Sequence, residues 1–342
     1  MKLPIRFVTP PSHAAAIKID GAWEGPGLDL SHWPGNHTPE PLRHDLSTGC
    51  ALAFARLPQV EREQLAAGCT MLAVNHYDTD GALAVYATRY PEAALRHAEF
   101  LLEAAAAGDW FRLPSEQALR FDLLVQMLVD EARSPWRALY AGLSDEARRE
   151  RCLEELVERL TSWLDSGVFE YAELVEDDLR SIMADQAQLR DCRLDDLLHL
   201  DLAVWNRATV GPALDPARHA LCGSSVRDRL LALAPLEGGG TSCRFVVNTT
   251  SWFPLAQPRL ARPDLQRLCK RLNELEGTTN APLRWRAQPS QSPSPELWFG
   301  ADGVPFFAER NRHLTGSRLD VATIKREVVD AIRAAWVFPD DE

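Results

Sequence analysis

The most informative segment of the chain reads Thr70-Met-Leu-Ala-Val-Asn-His-Tyr-Asp-Thr-Asp-Gly81. Its apolar first half predicts a buried strand over residues 70–74, which leads into a polar turn and a helix. Because alternate residues of an extended segment point to the same side, His76, Asp78 and Asp80 can converge on one point. One imidazole and two carboxylates suit a divalent cation such as Mn²⁺, Mg²⁺ or Zn²⁺.

The same residues allow a simpler interpretation. The segment could be a polar turn in which Asp80 only caps the helix expected over residues 82–88. We favour the metal site because a single capping aspartate would not need the other two polar side chains. The segment therefore predicts a site for one or two divalent ions.

Two earlier segments repeat the pattern of a strand followed by a polar turn. Residues 14–20 predict a strand that ends in an acid and a glycine, and residues 27–31 predict a second strand that runs into His32. The position of His32, at the end of an apolar strand, makes its imidazole a further candidate ligand. Strands that alternate with turns and helices are typical of an α/β layer with a mostly parallel sheet.

The remainder of the chain changes character twice. From Glu92 to about Arg190, apolar residues recur at three- and four-residue spacing and predict long helices. Beyond residue 240 the chain becomes rich in strand-forming residues. We expect four regions: an α/β metal-site region over 1–90, a helical insertion over 91–192, a return to the first sheet with a linker over 193–240, and a smaller α+β substrate-binding domain over 241–342.

Composition limits the classes of partner. The 342 residues carry a net charge of −12, divided into −14 over the first 240 residues and +2 over the rest. Such acidity argues against bulk nucleic-acid binding, and the absence of a long apolar run argues against a membrane segment. Seven scattered cysteines and an N-terminus unlike a signal peptide indicate a cytoplasmic protein with reduced thiols.

The segment His76-Tyr-Asp78-Thr-Asp80-Gly81 resembles the HxDxDG motif of the DHH phosphoesterase superfamily, whose members are manganese-dependent. Ser31-His32-Trp33-Pro34 is similar to the Asp-His-His-Pro signature of that superfamily, and Asp45-Leu-Ser47-Thr48 is similar to its Asp-x-Ser-Thr element. The likeness covers roughly residues 14–90. The chain is also similar to a group of uncharacterised bacterial proteins that carry an SHWPG…NHxDxDG pattern.

The resemblance implies a set of functional residues. His76, Asp78, Asp80 and His32 would bind metal, together with Asp20, which stands where the superfamily has a bridging aspartate. The candidate catalytic residues are His32, Asp45 and His37, and the candidate substrate contacts are Trp33, Ser47, Arg259 and Arg262. The implied reaction is metal-dependent hydrolysis of a phosphoester or phosphoanhydride in a small anionic substrate, with one or two Mn²⁺, Mg²⁺ or Zn²⁺ ions.

Three departures from the superfamily pattern leave alternatives open. The HxDxDG-like segment follows the Asp-His-His-like segment here, whereas the superfamily has the opposite order. Ser31 and Trp33 also replace an aspartate and a histidine. The alternatives are a metal-dependent hydrolytic or biosynthetic enzyme that acts on a non-phosphate substrate, and an inert descendant that binds a nucleotide or a partner protein. The oligomeric state is open, with a homodimer as one option.

Overall fold

The computed structural model describes residues 3–10, 13–279 and 281–335. The chain forms two compact units. The first comprises Met1–Arg180 and Phe253–Ala256, and the second comprises Ser181–Trp252 and Gln257–Glu342. Within the described residues, no helix is both long and apolar enough to cross a lipid bilayer.

In the described part of the first unit, four short strands form a sheet: β1 (Ile5–Phe7), β2 (Ala16–Ile19), β3 (Gly27–Leu30) and β4 (Leu72–Val74). All of them pair in parallel, in the order β1-β4-β2-β3. The expected mixed α/β class with a parallel sheet is therefore confirmed. Because the strands are parallel, the carboxyl ends of β2, β3 and β4 lie at the same edge of the sheet.

The helices of the first unit surround a central buried helix. That helix, α3 (Thr79–Arg89), buries every residue from Thr79 to Thr88, which explains its lack of a polar face. Its neighbours along the chain are α1 (Ser47–Arg56), α2 (Gln59–Leu65), α4 (Pro91–Arg96), α5 (Ala98–Trp110), α6 (Glu116–Val129) and α7 (Asp145–Ser166).

The predicted helical block is present. Ser115 and Ser144 cap α6 and α7 through their side chains, as their sequence context predicts. The boundary between the two units falls within the next helix, α8 (Glu176–Arg190).

Six strands form the sheet of the second unit: β5 (Arg193–Leu197), β6 (Leu202–Asn206), β7 (Arg229–Pro235), β8 (Thr241–Val247), β9 (Arg284–Ala287) and β10 (Glu296–Gly300). Their order is β5-β6-β7-β8-β10-β9, and only the β6–β7 pair is parallel. The expected return of residues 193–240 to the first sheet is wrong, because β6 pairs with β5 and β7 instead.

Besides the end of α8, the described residues of the second unit form three α-helices: α9 (Arg218–Gly223), α10 (Leu265–Glu276) and α11 (Val321–Ala334). The strand-forming residues of 243–253 predict one continuous strand, but the strand ends at Val247, because Thr249–Ser251 form a 3₁₀ turn. The sequence of residues 321–336 predicts a closing helix. That helix is present to Ala334, and Trp336 lies outside the described residues.

A buried ionic network links the strands of the second unit. Glu296 on β10 accepts hydrogen bonds from Arg244 Nε at 3.1 Å, Arg218 Nη2 at 3.2 Å and Asn311 Nδ2 at 2.6 Å. Both arginine side chains and that of Glu296 are fully buried. Removing one member of such a network leaves uncompensated charge in a water-free interior.

We therefore expect Glu296→Ala to lower the free energy of unfolding of the second unit by about 3–5 kcal/mol. The matched control is Asp302→Ala, which removes an exposed partner of Arg286 and should cost less than about 1 kcal/mol. Urea denaturation followed by circular dichroism measures both. Equal losses in the two variants would contradict this assignment.

Candidate metal centre

The candidate site lies at the carboxyl edge of the parallel sheet. Asp20 directly follows β2, His32 stands two residues after β3, and His76 stands two residues after β4. Asp20 has a left-handed backbone with φ of 51°, a conformation that aspartate adopts more readily than most residues. Three separate turns thus bring polar side chains to one place.

Two groups of side chains there have the spacing of metal ligands. The buried cluster consists of Asp20, His32, Asp80 and Asp109, and the open cluster consists of Asp20, His76 and Asp78. Within each cluster, one ligand atom from every residue lies within 4.8 Å of all the others. Asp20 belongs to both clusters.

His32 is the centre of the buried cluster. Its Nε2 atom lies 2.9 Å from Asp109 Oδ2, 3.5 Å from Asp20 Oδ1 and 3.6 Å from Asp80 Oδ2. None of these oxygen atoms has the direction of a hydrogen bond to Nε2, although that atom is buried. A buried nitrogen surrounded by acidic oxygens without hydrogen-bond geometry fits a coordinated cation.

The open cluster also surrounds an imidazole with acids, but here Nε2 of His76 donates a hydrogen bond to Asp78 Oδ2. His76 Nε2 lies 2.8 Å from Asp78 Oδ2 and 3.0 Å from Asp20 Oδ2. Asp20 Oδ2 is buried and makes no hydrogen bond. The side chains of His76 and Asp78 are each 26% exposed, whereas those of His32 and Asp80 are at most 2% exposed. The open cluster is therefore the part of the site that solvent reaches.

Both imidazoles are oriented through their other nitrogen. His32 Nδ1 is 2.7 Å from the backbone oxygen of Asp45, and His76 Nδ1 is 2.7 Å from Asn75 Oδ1. An oxygen acceptor at Nδ1 places the proton there and directs Nε2 into the cluster. This arrangement is the usual support of a metal-binding histidine.

The two aspartates of the HxDxDG-like segment also cap helices. Asp78 is the N-cap of α3, and its Oδ1 accepts a hydrogen bond from Gly81 N at 2.9 Å. Asp80 instead accepts the first two amides of α1, those of Ser47 and Thr48, each at 2.7 Å. Asp80 therefore caps a helix distant in sequence, and the simpler interpretation assigned the cap of α3 to the wrong aspartate.

Asp20 is held by two donors. Ser47 Oγ donates to Asp20 Oδ1 at 2.7 Å, and Trp33 Nε1 donates to the same oxygen at 3.0 Å. Ser47 Oγ also accepts a hydrogen bond from His32 N at 3.2 Å. Ser47 and Trp33, expected to contact substrate, thus contact the shared ligand directly.

Two glycines allow the close packing of the site. A Cβ atom at Gly81 would lie 3.1 Å from both Asp20 Oδ2 and Asp78 Oδ1. At Gly108, a Cβ atom would lie 2.9 Å from Asp122 Oδ1 and 3.0 Å from the Cβ of Thr79. The glycine at 108 lets α5 approach the start of α3, which brings the adjacent Asp109 into the buried cluster.

Burial and the crowding of acids shift the pKa of two carboxyl groups and of both imidazoles. Burial raises the pKa of Asp80 to about 6, and the Asp20 charge adds to the increase. Burial and the Asp80 charge together raise the pKa of Asp109 well above its usual range. Burial opposes the charged imidazoles, yet the neighbouring acids outweigh it and raise the pKa of His32 and of His76 well above ordinary values. In the absence of a bound ion, protons on these carboxyl groups and imidazoles therefore neutralise part of the negative charge of the two clusters.

Two of the expected catalytic residues lie outside both clusters. The His37 side chain is 69% exposed, and its Nε2 faces Glu24 Oε1 at 3.7 Å. Its backbone amide donates to Asp29 Oδ2 at 2.8 Å, which braces the turn that carries Trp33. The Asp45 side chain accepts a hydrogen bond from Ala256 N at 2.7 Å.

Both arginines expected to bind substrate have partners within the second unit. Arg259 Nη1 lies 3.5 Å from Asp201 Oδ2. The Arg262 guanidinium donates to Ser251 Oγ at 2.8 Å and to the backbone oxygens of residues 248, 290, 292 and 293. Arg262 thus joins two loops of this unit.

Asp109 is the member of the buried cluster that sequence reasoning missed. It lies near the end of the alanine-rich helix α5, and no ligand-like spacing connects it to the other residues of the site. The one available signal is the Gly108-Asp109 pair, because a glycine inside a helix often marks a close approach.

Comparison with known proteins gives a family without an assigned activity. No curated protein matches the chain. A family model described as a family of unknown function (DUF6687) matches residues 4–342, which is nearly the entire sequence. The chain therefore belongs to the DUF6687 family.

Proposed function

We propose that this protein is a divalent-metal-dependent hydrolase with a dinuclear centre of the DHH phosphoesterase type. Its substrate would be a small anionic phosphoester or phosphoanhydride. The observation that carries the proposal is the sharing of Asp20 between two ligand clusters. Asp20 Oδ1 faces His32 and Asp20 Oδ2 faces His76, so the carboxylate has one oxygen for each of two ions.

The charge of the ligand set supports two ions. With every ligand deprotonated, Asp20, Asp78, Asp80 and Asp109 contribute four negative charges, and the two imidazoles are neutral. Two divalent cations balance that charge, whereas one cation leaves two negative charges uncompensated. The abundance of oxygen ligands favours Mn²⁺ or Mg²⁺ over softer metals.

The chain's own residues would hold the centre in a fixed geometry. Ser47 and Trp33 fix Asp20 Oδ1, the first amides of α1 fix Asp80, and Asp45 orients His32. When bound, divalent ions supply an activated water and neutralise the charge on phosphate oxygens. The exposure of His76 and Asp78 indicates that substrate would arrive at the open cluster.

One observation favours a second candidate, a metal-dependent enzyme with a non-phosphate substrate. In the DHH superfamily the residue corresponding to Trp33 is a histidine expected to contact phosphate. Here the indole nitrogen donates to Asp20 instead. Trp33 therefore does not provide the phosphate contact that the histidine provides in the superfamily.

The proposed centre predicts how many divalent ions each chain binds. Wild-type protein should bind two Mn²⁺ ions, Asp109→Asn should lose the ion of the buried cluster, and Asp78→Asn should lose that of the open cluster. Asp20→Asn should weaken both, by about tenfold or more. Isothermal titration calorimetry and elemental analysis measure this.

The control for these variants is Asp165→Asn. Asp165 pairs with His97 at 2.8 Å on the surface, outside both clusters, so this variant should bind ions like the wild type. A wild-type chain that binds no divalent ion at micromolar concentration would overturn the proposal.

The proposed function also predicts hydrolysis of a phosphate-containing test substrate. In Mn²⁺, wild-type protein should release product from at least one of p-nitrophenyl phosphate, bis-p-nitrophenyl phosphate, pyrophosphate or a dinucleotide. Asp20→Asn should lower kcat/KM by about a hundredfold or more, because it removes a ligand of both ions. Asp165→Asn should retain full activity. Two bound ions with no phosphate release from any of these substrates would favour the second candidate.

The raised pKa of Asp80 predicts that the Mn²⁺ affinity depends on pH. A proton on Asp80, whose pKa is raised to about 6, must leave before the oxygen can bind an ion. Below pH 6 the Mn²⁺ affinity should therefore fall by about tenfold or more per pH unit. Protonated His32 and His76 should extend the decline above pH 6.5. Calorimetric titrations from pH 5 to pH 8 measure the slope, and a constant affinity over that range would contradict it.

A further inference from the structure

A short segment far along the chain packs against the candidate centre. Residues Phe253–Ala256 belong to the first unit. The Phe253 ring stacks on the His32 imidazole, with ring centroids 3.9 Å apart and an interplanar angle of 22°. The sequence contains no signal that would pair these two residues.

The stack supplies a constraint that the hydrogen bond of His32 does not. The contact between His32 Nδ1 and the Asp45 backbone oxygen fixes one atom of the ring, but it leaves the ring able to tilt about that contact. The lone pair of Nε2 lies in the ring plane, so a tilt moves it away from a bound ion. An aromatic ring parallel to the imidazole opposes the tilt.

Asp45 connects the segment to the ligand. Its backbone oxygen accepts from His32 Nδ1 at 2.7 Å, and its side-chain Oδ1 accepts from Ala256 N at 2.7 Å. One residue therefore holds both the imidazole and the segment that carries the stacking ring. These two contacts give Asp45 a supporting position next to the buried cluster.

We propose that Phe253 is a positioning residue, whose ring fixes the plane of the His32 imidazole and thereby raises the affinity of the buried cluster for a divalent cation. This inference rests on the proposed metal centre. Phe253 lies outside the HxDxDG-like and Asp-His-His-like segments, so its contribution to metal affinity is not implied by the resemblance.

The test isolates the buried cluster. In a His76→Ala background the open cluster lacks its imidazole, so Co²⁺ titration reports on the cluster that contains His32. Adding Phe253→Leu should weaken Co²⁺ binding by about tenfold to a hundredfold and change the visible absorption of the bound ion. Phe253→Tyr keeps the aromatic ring and should restore both.

Two controls separate positioning from a general loss of packing. Phe100 is another partly buried aromatic residue of the first unit, in contact with Phe121 and Phe169, and Phe100→Leu should leave Co²⁺ binding unchanged. In a His32→Ala background, Phe253→Leu should have no effect on the open cluster. Asp45→Ala removes the acceptor for Ala256 N without removing the backbone oxygen, and should weaken the buried cluster in the same direction.

The outcomes distinguish this inference from the proposed function. Wild-type protein that binds no divalent ion overturns both. Wild-type protein that binds two ions, with unchanged Co²⁺ affinity and spectrum in Phe253→Leu, overturns the role of Phe253 alone. An equal loss of affinity in the His32→Ala and His76→Ala backgrounds also overturns it, because the effect would then not act through His32.

Discussion

Electrostatic repulsion among four carboxylates is the constraint on which the first unit depends. Parallel pairing of β2, β3 and β4 brings the turns after three strands to one edge, and α5 adds Asp109 to the same place. Burial removes most of the water that would otherwise screen these charges. Hydrogen bonds donated by Ser47, Trp33 and the first amide of α1 offset part of this repulsion.

The two clusters share a carboxylate but differ in surroundings. The buried cluster is closed by an aromatic ring and by the amides of α1. The open cluster retains partial exposure at His76 and Asp78. Under the proposed function, this difference separates an ion that serves mainly to hold the centre together from one that meets the substrate.

The sequence was sufficient for the parts of the site that depend on local pattern. Apolar runs that end in polar turns predicted β2, β3 and β4, and alternation predicted that His76, Asp78 and Asp80 would converge on one point. His76 and Asp78 share the open cluster, but Asp80 belongs to the buried cluster, because it lies in α3 and not in an extended segment. Local pattern could not reveal contacts made through tertiary packing. Asp109 reaches the site because Gly108 lets one helix approach another, and Phe253 reaches His32 from a segment with no periodic relation to it. The resemblance implies a catalytic role for Asp45, and only the structure distinguishes its backbone oxygen, which orients His32, from its side chain, which holds Ala256.

Asp78 and Asp80 carry a consequence for how such sequences evolve. Each completes the start of a helix, α3 for Asp78 and α1 for Asp80, and each cap stabilises its helix whether or not an ion is present. Under the proposed function, a lineage that lost the activity would still be selected to keep both acids for folding. Both aspartates would then persist in an inactive descendant. Loss of His76 would be the earlier sign that metal binding had been lost.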